Sequence, residues 1–388
     1  MRISQKTQDM PRSGIREMFE LARDYSNVVN LGIGEPGFET PKNIIEAGVK
    51  ALRSGYTKYT PNAGILELRE FVAKKLIIEN EFRSINKDNI IITSGAVEAI
   101  ILVLMAIIDP GDEVIVPDPG WPNYDGQILL AGGKIVKAKL YEEDSFHLKA
   151  ISIEKAITPN TKAIIINSPS NPTGAVSSKE ELESICQIVK KYNLIVISDE
   201  PYEKIIYDDK KHISIASLQS MFKHVITVNS FSKSYAMTGW RVGYACGSEE
   251  IINAMIKIQE NFVASVNSSA QIAAIEALQG SQNSIKEKLL EYTKRRNYIT
   301  SELDKISGIS CILPEGSFYA FPNIKKTGYS SFEIAKLLLE EVQVVTTPGN
   351  AFGNGGEGYL RICFAGNVDT LKEGIERIIF FMNRKLVK

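Results

Sequence analysis

The stretch SFSKSYAMTGWR, Ser230 to Arg241, decides how the chain is read. It follows the apolar run Val225 to Val228, which reads as a strand end, and it sets Lys233 among Ser230, Ser232, Ser234 and Tyr235. No acidic residue lies within ten positions of that lysine on either side. Such a lysine is either an ordinary solvated surface group or a poorly solvated amine of depressed pKa that acts as a nucleophile. Spacing makes the second reading testable. Ser230 offers a hydroxyl to a phosphate oxygen, and Arg241, eight residues beyond Lys233, offers the fixed positive charge that a phosphate dianion needs.

The whole chain sets the bounds. Its 388 residues suffice for two or three domains and a large core. A formal charge of -1 leaves no electrostatic footprint for nucleic acid or for an anionic membrane surface. Cys186, Cys246, Cys311 and Cys363 stand singly, as do His147, His212 and His224, so neither a disulfide framework nor a metal site is expected. The start, MRISQKTQDMPRSG, lacks the apolar core of a signal peptide. The longest apolar run, Ala99 to Ile108, has ten residues, about half a membrane span. A cytoplasmic protein is expected.

Working outward from Lys233, the pattern predicts seven strands: Asn89 to Thr93, Glu113 to Val116, Lys134 to Lys137, Ala163 to Asn167, Leu194 to Ile197, Val225 to Val228 and Val242 to Ala245. Helices are expected between them and before them, over Pro41 to Arg53 and Gly64 to Ile78. Short buried strands alternating with helices imply an α/β fold whose mostly parallel seven-stranded sheet is covered on both faces. Ligands of such sheets bind beyond the carboxyl ends of the strands. A long charged helix from about Ser281 to Leu303 reads as a hinge into a smaller α+β domain with strand pieces Phe318 to Phe321, Val342 to Thr346 and Tyr359 to Phe364. The expected division is an N-terminal arm, 1–45, packing with the small domain; a large cofactor-binding domain, 46–280; and a small C-terminal domain, 281–388.

Several strand ends carry candidate chemistry, each beside a plainer reading. Ser94, Gly95 and Ala96 join a strand to a helix N-terminus, either as an ordinary small-residue turn or as an anion cradle of free N–H groups and helix dipole. Asp199 in SDEPYE is a turn residue or a buried functional carboxylate. Asn171 lies in SPSNPTG, Trp121 in DPGWPNY, Tyr59 in YTKYTPNAG and Gly34 in the loop GEPGFETP, all of which also read as turns or packing positions. Arg361 in YLRICF either faces solvent by strand alternation or clamps a carboxylate through its planar guanidinium.

SFSK followed by Gly239, Arg241 and Gly243 resembles the lysine signature of class I aminotransferases, enzymes of the pyridoxal-phosphate-dependent fold type I, and the resemblance extends over nearly the whole chain. It implies that Lys233 carries pyridoxal 5′-phosphate as a Schiff base, that Ser94, Gly95, Ala96, Ser230 and Arg241 hold the phosphate, and that Trp121 stacks on the ring. Asp199 would face the pyridine nitrogen, and Tyr202 and Asn171 the phenolic oxygen. Gly34 and Arg361 would meet the substrate carboxylate, and Ile15 and Phe318 would line the pocket. Tyr59 would reach the phosphate of a neighbouring subunit, making the protein a homodimer.

The implied reaction is transamination between an L-amino acid, aspartate or aromatic with glutamate, and a 2-oxo acid such as 2-oxoglutarate. Ala96 and Val97 depart from the pattern. Where Val97 stands, some aspartate-specific relatives carry a lysine, so aspartate and aromatic substrates stay level. A carbon–sulfur lyase and an alanine or broad-specificity aminotransferase share the same residues and remain open.

Overall fold

A computed structural model describes residues 2–10 and 14–386; the side chain of Ile15 lies outside the described part. The chain opens with α1 (Gln5–Asp9), α2 (Gly14–Ala22) and β1 (Val29–Asn30), then α3 (Lys42–Arg53) and α4 (Leu66–Glu79). The alternating region follows: β2 (Ile90–Thr93), α5 (Ala96–Ile107), β3 (Glu113–Asp118), α6 (Asn123–Ala131), β4 (Lys134–Lys139), α7 (Ala150–Ala156), β5 (Thr161–Asn167), α8 (Lys179–Tyr192), β6 (Ile195–Asp199), β7 (Val225–Ser230), α9 (Phe231–Ser234) and β8 (Gly243–Cys246). Helices α10 (Glu249–Phe262), α11 (Ser268–Gln279) and α12 (Asn283–Leu303) lead to β9 (Tyr319–Ala320), α13 (Ser331–Val342), β10 (Val344–Val345), β11 (Thr347–Pro348), β12 (Leu360–Cys363) and α14 (Val368–Leu386).

The main sheet has the order β2-β8-β7-β6-β5-β3-β4, parallel except for β8, which runs against both neighbours. Continuous runs such as Ile90–Thr93 and Val225–Ser230 are buried on both faces, as a helix-covered parallel sheet requires. Register then sets chemistry side by side. Asn167 pairs with Asp199, and both Ser230 and Thr93 pair with Gly243. Residues remote in sequence thus end at one edge.

Local signals explain the helix boundaries. Helix α8 starts in a capping box, with Ser178 accepting from the Glu181 N–H and Glu181 reaching back to Ser178. It stops at Asn193 in the left-handed conformation, φ 52°. Helix α5 is apolar nearly all round and buried to match. Helix α11, SSAQIAAIEALQ, was not foreseen: its small residues are buried on every side against α3 and α4, so it carries no one-sided apolar stripe. Helices α7 and α13 likewise were not foreseen.

A second apolar cluster joins the two ends of the chain. Val29 pairs with Val344 in parallel, and Met18, Val29 and Leu31 pack with Phe318, Leu338, Val345 and Phe364. Strand β12 lies between β11 and β9, pairing Arg361 with Thr347 and Cys363 with Tyr319. That brings Arg361 and Tyr319 over the carboxyl ends of the main sheet.

Candidate active site

A cavity of about 260 Å³ opens beyond the ends of β5, β6 and β7, with Gly34, Ala96, Trp121, Asn171, Asp199, Tyr202, Ser230, Lys233, Arg241 and Arg361 among its walls. Ten of the fifteen residues expected from the sequence therefore meet in one place. Ser94 and Gly95 stand just behind the wall, and Tyr59 lies on the outer surface, 90% exposed.

Lys233 sits in α9, a single turn that Ser230 caps by accepting from the Ser232 N–H. Its Nζ donates to the Gly34 carbonyl at 2.7 Å. Burial, ahead of every nearby charge, pushes the amine down to about 8. The Gly34 position has no room for a side chain, since a Cβ there would collide with the Tyr319 hydroxyl. Phe318 is fully buried with its ring 5.8 Å from Lys233 Nζ, while Tyr319 forms the wall.

Asp199 ends β6 and is 4% exposed. Tyr124 Oη donates to its Oδ2 at 2.6 Å, whereas Oδ1 has no hydrogen-bond partner among the described residues. Burial raises this carboxyl to about 7, against the lowering effect of the Tyr124 bond. A buried carboxylate oxygen without a partner at a cavity wall is suited to accept a hydrogen bond from a donor that enters it.

Arg361 is 2% exposed. Its Nη1 donates to Asn171 Oδ1 at 3.0 Å and its Nη2 to the Gly32 carbonyl at 2.6 Å, while Nε has no partner among the described residues. Asn171 is held in turn by its own N–H on Asn167 Oδ1 at 2.8 Å. The Tyr202 and Tyr319 hydroxyls meet at 2.8 Å. Trp121 packs edge-on against Tyr124, with ring centroids 5.2 Å apart.

Arg241 takes a positive φ of 55°, a conformation disfavoured for a side-chain-bearing residue, and reaches the turn before α5. Its Nη1 donates to the Thr238 carbonyl at 2.9 Å and its Nη2 to the Ser94 carbonyl at 3.2 Å. Gly95, φ +79°, is required here: a Cβ would lie 2.5 Å from Arg241 Nη2. The Ser94 N–H is turned to the Glu98 carboxylate. Tyr124, Asn167, Tyr319 and Glu98 were missed in the sequence reading. Tyr124 alone carried a signal, three positions after Trp121 in DPGWPNY.

A mostly parallel sheet whose strand ends gather a buried lysine of lowered pKa, an unpaired carboxylate oxygen and a buried arginine defines an enzyme of amine chemistry. The chain belongs to the aminotransferase class I and II family, whose model matches residues 26–378, and it is an aminotransferase. It is 41% identical over 380 residues to aromatic-amino-acid aminotransferase 2 of Thermococcus litoralis and 42% identical over 380 residues to an aspartate aminotransferase of Pyrococcus abyssi, with 97% of each chain covered in both pairs. The solved aromatic aminotransferase of Pyrococcus horikoshii superposes with a TM-score of 0.91 at 43% identity, covering 96% of this chain and 100% of that one. Membership of this family implies pyridoxal 5′-phosphate.

Proposed function

We propose that this chain transfers the amino group of an aspartate or aromatic L-amino acid to a 2-oxo acid such as 2-oxoglutarate, with glutamate as the partner amino acid and pyridoxal 5′-phosphate held at Lys233. One observation carries the reading: Lys233, the unpaired Oδ1 of Asp199 and the Arg361 guanidinium share one cavity. These residues fit the cofactor. Oδ1 suits a ring N–H, and Arg241, Ser230 and the N-terminus of α5 with Ala96 suit a phosphate. Bound there, pyridoxal phosphate supplies an electron-accepting ring that stabilises negative charge at the substrate Cα.

The chain's own residues do the rest. Arg361 orients the substrate by its α-carboxylate, exchanging its bonds to Asn171 and Gly32 for a bidentate pair. The Lys233 amine, whose burial favours its neutral form, is suited to take the proton from Cα. Tyr124 fixes the orientation of Asp199, Trp121 offers a flat apolar face, and Tyr202 and Asn171 offer groups to the phenolic oxygen.

Val97 is 39% exposed and walls both this cavity and an adjoining one of about 450 Å³ that Met10 and Phe352 also line. Val97, Met10 and Phe352 suit an aromatic side chain there, and Arg16 on the same walls suits an acidic one, so aspartate and aromatic donors stay level. A homodimer is supported by Tyr59 and by the apolar residues Ile45, Val49, Leu52, Phe262 and Val263, which lie open on the surface and suit a second copy of the chain. Tyr59 would then reach the partner's phosphate. We read 1–45, 46–280 and 281–388 as arm, large domain and small domain, supported by the separate apolar cluster that joins both ends of the chain. No helix among the described residues is long and apolar enough to cross a membrane, and we place the enzyme in the cytoplasm.

The test is an absorbance spectrum of the protein with pyridoxal phosphate, taken before and after single amino acids are added without an acceptor. Conversion to the pyridoxamine band, ranked across aspartate, glutamate, tyrosine, phenylalanine and alanine, is expected. A band that survives every amino acid, or that changes with release of ammonia, overturns the reading.

A further inference from the structure

Across the sheet from Asp199 stands a buried carboxylate that the proposed chemistry leaves unused. Glu200 is 1% exposed. Its Oε1 accepts from Ser198 Oγ at 2.6 Å and Ser214 Oγ at 2.8 Å, and its Oε2 meets His212 Nε2 at 2.9 Å. Its N–H extends the ladder to the Val228 carbonyl at 2.9 Å. Strand alternation puts Ser198 and Glu200 on one face and Asp199 on the other.

The surrounding charges are few and mostly paired. Glu203 is bound by Lys75 and Asn80, and Lys204 turns outward to Glu79. From β8, Tyr244 and Cys246 face the same region; burial raises both, and the charge of Glu200 adds to it. Glu200, Glu203 and His212 bring ligand-type atoms within 4.8 Å of one another, but the Lys75 ammonium already serves as the cation of that cluster. Three polar groups thus meet the two oxygens of Glu200.

We infer that Glu200 is a positioning residue of the reaction: its negative charge, fixed behind Asp199 through the sheet, strengthens the hold of Asp199 on a protonated ring nitrogen. The inference rests on the pyridoxal phosphate site proposed above. The direction agrees with Asp199 itself, whose carboxyl is raised first by burial and then further by Glu200. Removing one charge from the residue next to Asp199 should move a coupled titration by on the order of one pH unit.

The experiment is a pH titration of the absorbance of bound pyridoxal phosphate in the reconstituted protein, together with the Kd of the cofactor. Glu200→Gln is expected to lower the titration midpoint by on the order of one pH unit and to weaken binding about tenfold, with Glu200→Asp restoring both. A wild-type midpoint in Glu200→Gln, or equal shifts in the Gln and Asp variants, overturns the inference. Should Glu200→Gln not fold, Ser214→Ala leaves the charge of Glu200 with one donor fewer and is expected to raise the midpoint by a fraction of that shift; an unchanged or lowered midpoint then overturns it. A wild-type protein that forms no band with pyridoxal phosphate instead removes the site reading itself, before any variant is compared.

Discussion

Arg361 and Asn171 face each other across the cavity, Nη1 donating to Oδ1 at 3.0 Å, although 190 positions separate them. The bond fixes the guanidinium plane before any substrate arrives, and on the proposed reading an α-carboxylate then replaces it on a side chain already ordered. Arg361→Lys keeps the charge and loses the planar fork. We expect kcat/KM to fall about 10²–10³-fold for every amino acid tested, with the absorbance band of bound cofactor unchanged. Steady-state kinetics with two amino donors checks this; a selective loss for one donor would assign Arg361 to side-chain recognition instead.

Asp199 poses a conflict between stability and function. Its folded-state carboxyl is raised from 3.8 to about 7, so between those values the folded chain holds a proton that the unfolded chain has released. Stability of the cofactor-free protein therefore falls as pH rises from about 4 to about 7. Asp199→Asn keeps the Tyr124 contact and removes the buried charge. At pH 8 its cofactor-free form should melt about 2–5 °C above wild type, while its Kd for pyridoxal phosphate rises at least about tenfold. Thermal scans with and without cofactor separate the two effects.

His147 gives a slope of the same sign in a higher pH window. Its Nδ1 lies 2.8 Å from Glu181 and its Nε2 3.1 Å from Glu315, tying α8 to the segment before Tyr319. The Glu181 bond first and the Glu315 bond second raise the imidazole from 6.5 to about 9. The stability this contributes is fully present below about pH 6.5 and is lost as pH rises through about 9. Both carboxylates keep a lysine, Lys149 and Lys210, so His147→Gln should cost only about 1–2 kcal/mol at pH 6. Its stability profile between pH 6.5 and 9 should be flatter than that of wild type in urea titrations.

Tyr59 and Lys233 permit a complementation test. If Tyr59 serves the partner's site, a hybrid dimer of one Lys233→Ala chain and one Tyr59→Ala chain has one site with both defects and one with neither. Lys233→Ala alone should lose at least about 10⁴-fold in turnover. Refolded mixtures of the two variants should recover up to about a quarter of wild-type activity, from half-active dimers that make up about half of a random mixture. No recovery means that Tyr59 acts within its own chain.

Local chemistry carried much of the fold. Continuous apolar runs at Ile90–Thr93 and Val225–Ser230 mark strands buried on both faces, and Ser178 with Glu181 marks a helix start. Lys233 was legible because hydroxyls replaced the acidic neighbours a surface lysine usually has. Helix α11 was not legible, since burial on all sides removes the periodic contrast that announces a helix.

The sequence by itself determined the strand-and-helix alternation and the residue types available at each strand end, because propensity, capping and apolar period act over a few neighbouring positions. Only the tertiary structure decided which of these groups are paired. Tyr124 satisfies one oxygen of Asp199 and leaves the other open, Gly34 presents its carbonyl to Lys233, and Glu98 rather than the cavity takes the Ser94 N–H. Most of these contacts join residues brought together by sheet register and by the packing of chain ends, and no local pattern encodes a partner 75 or 199 positions away.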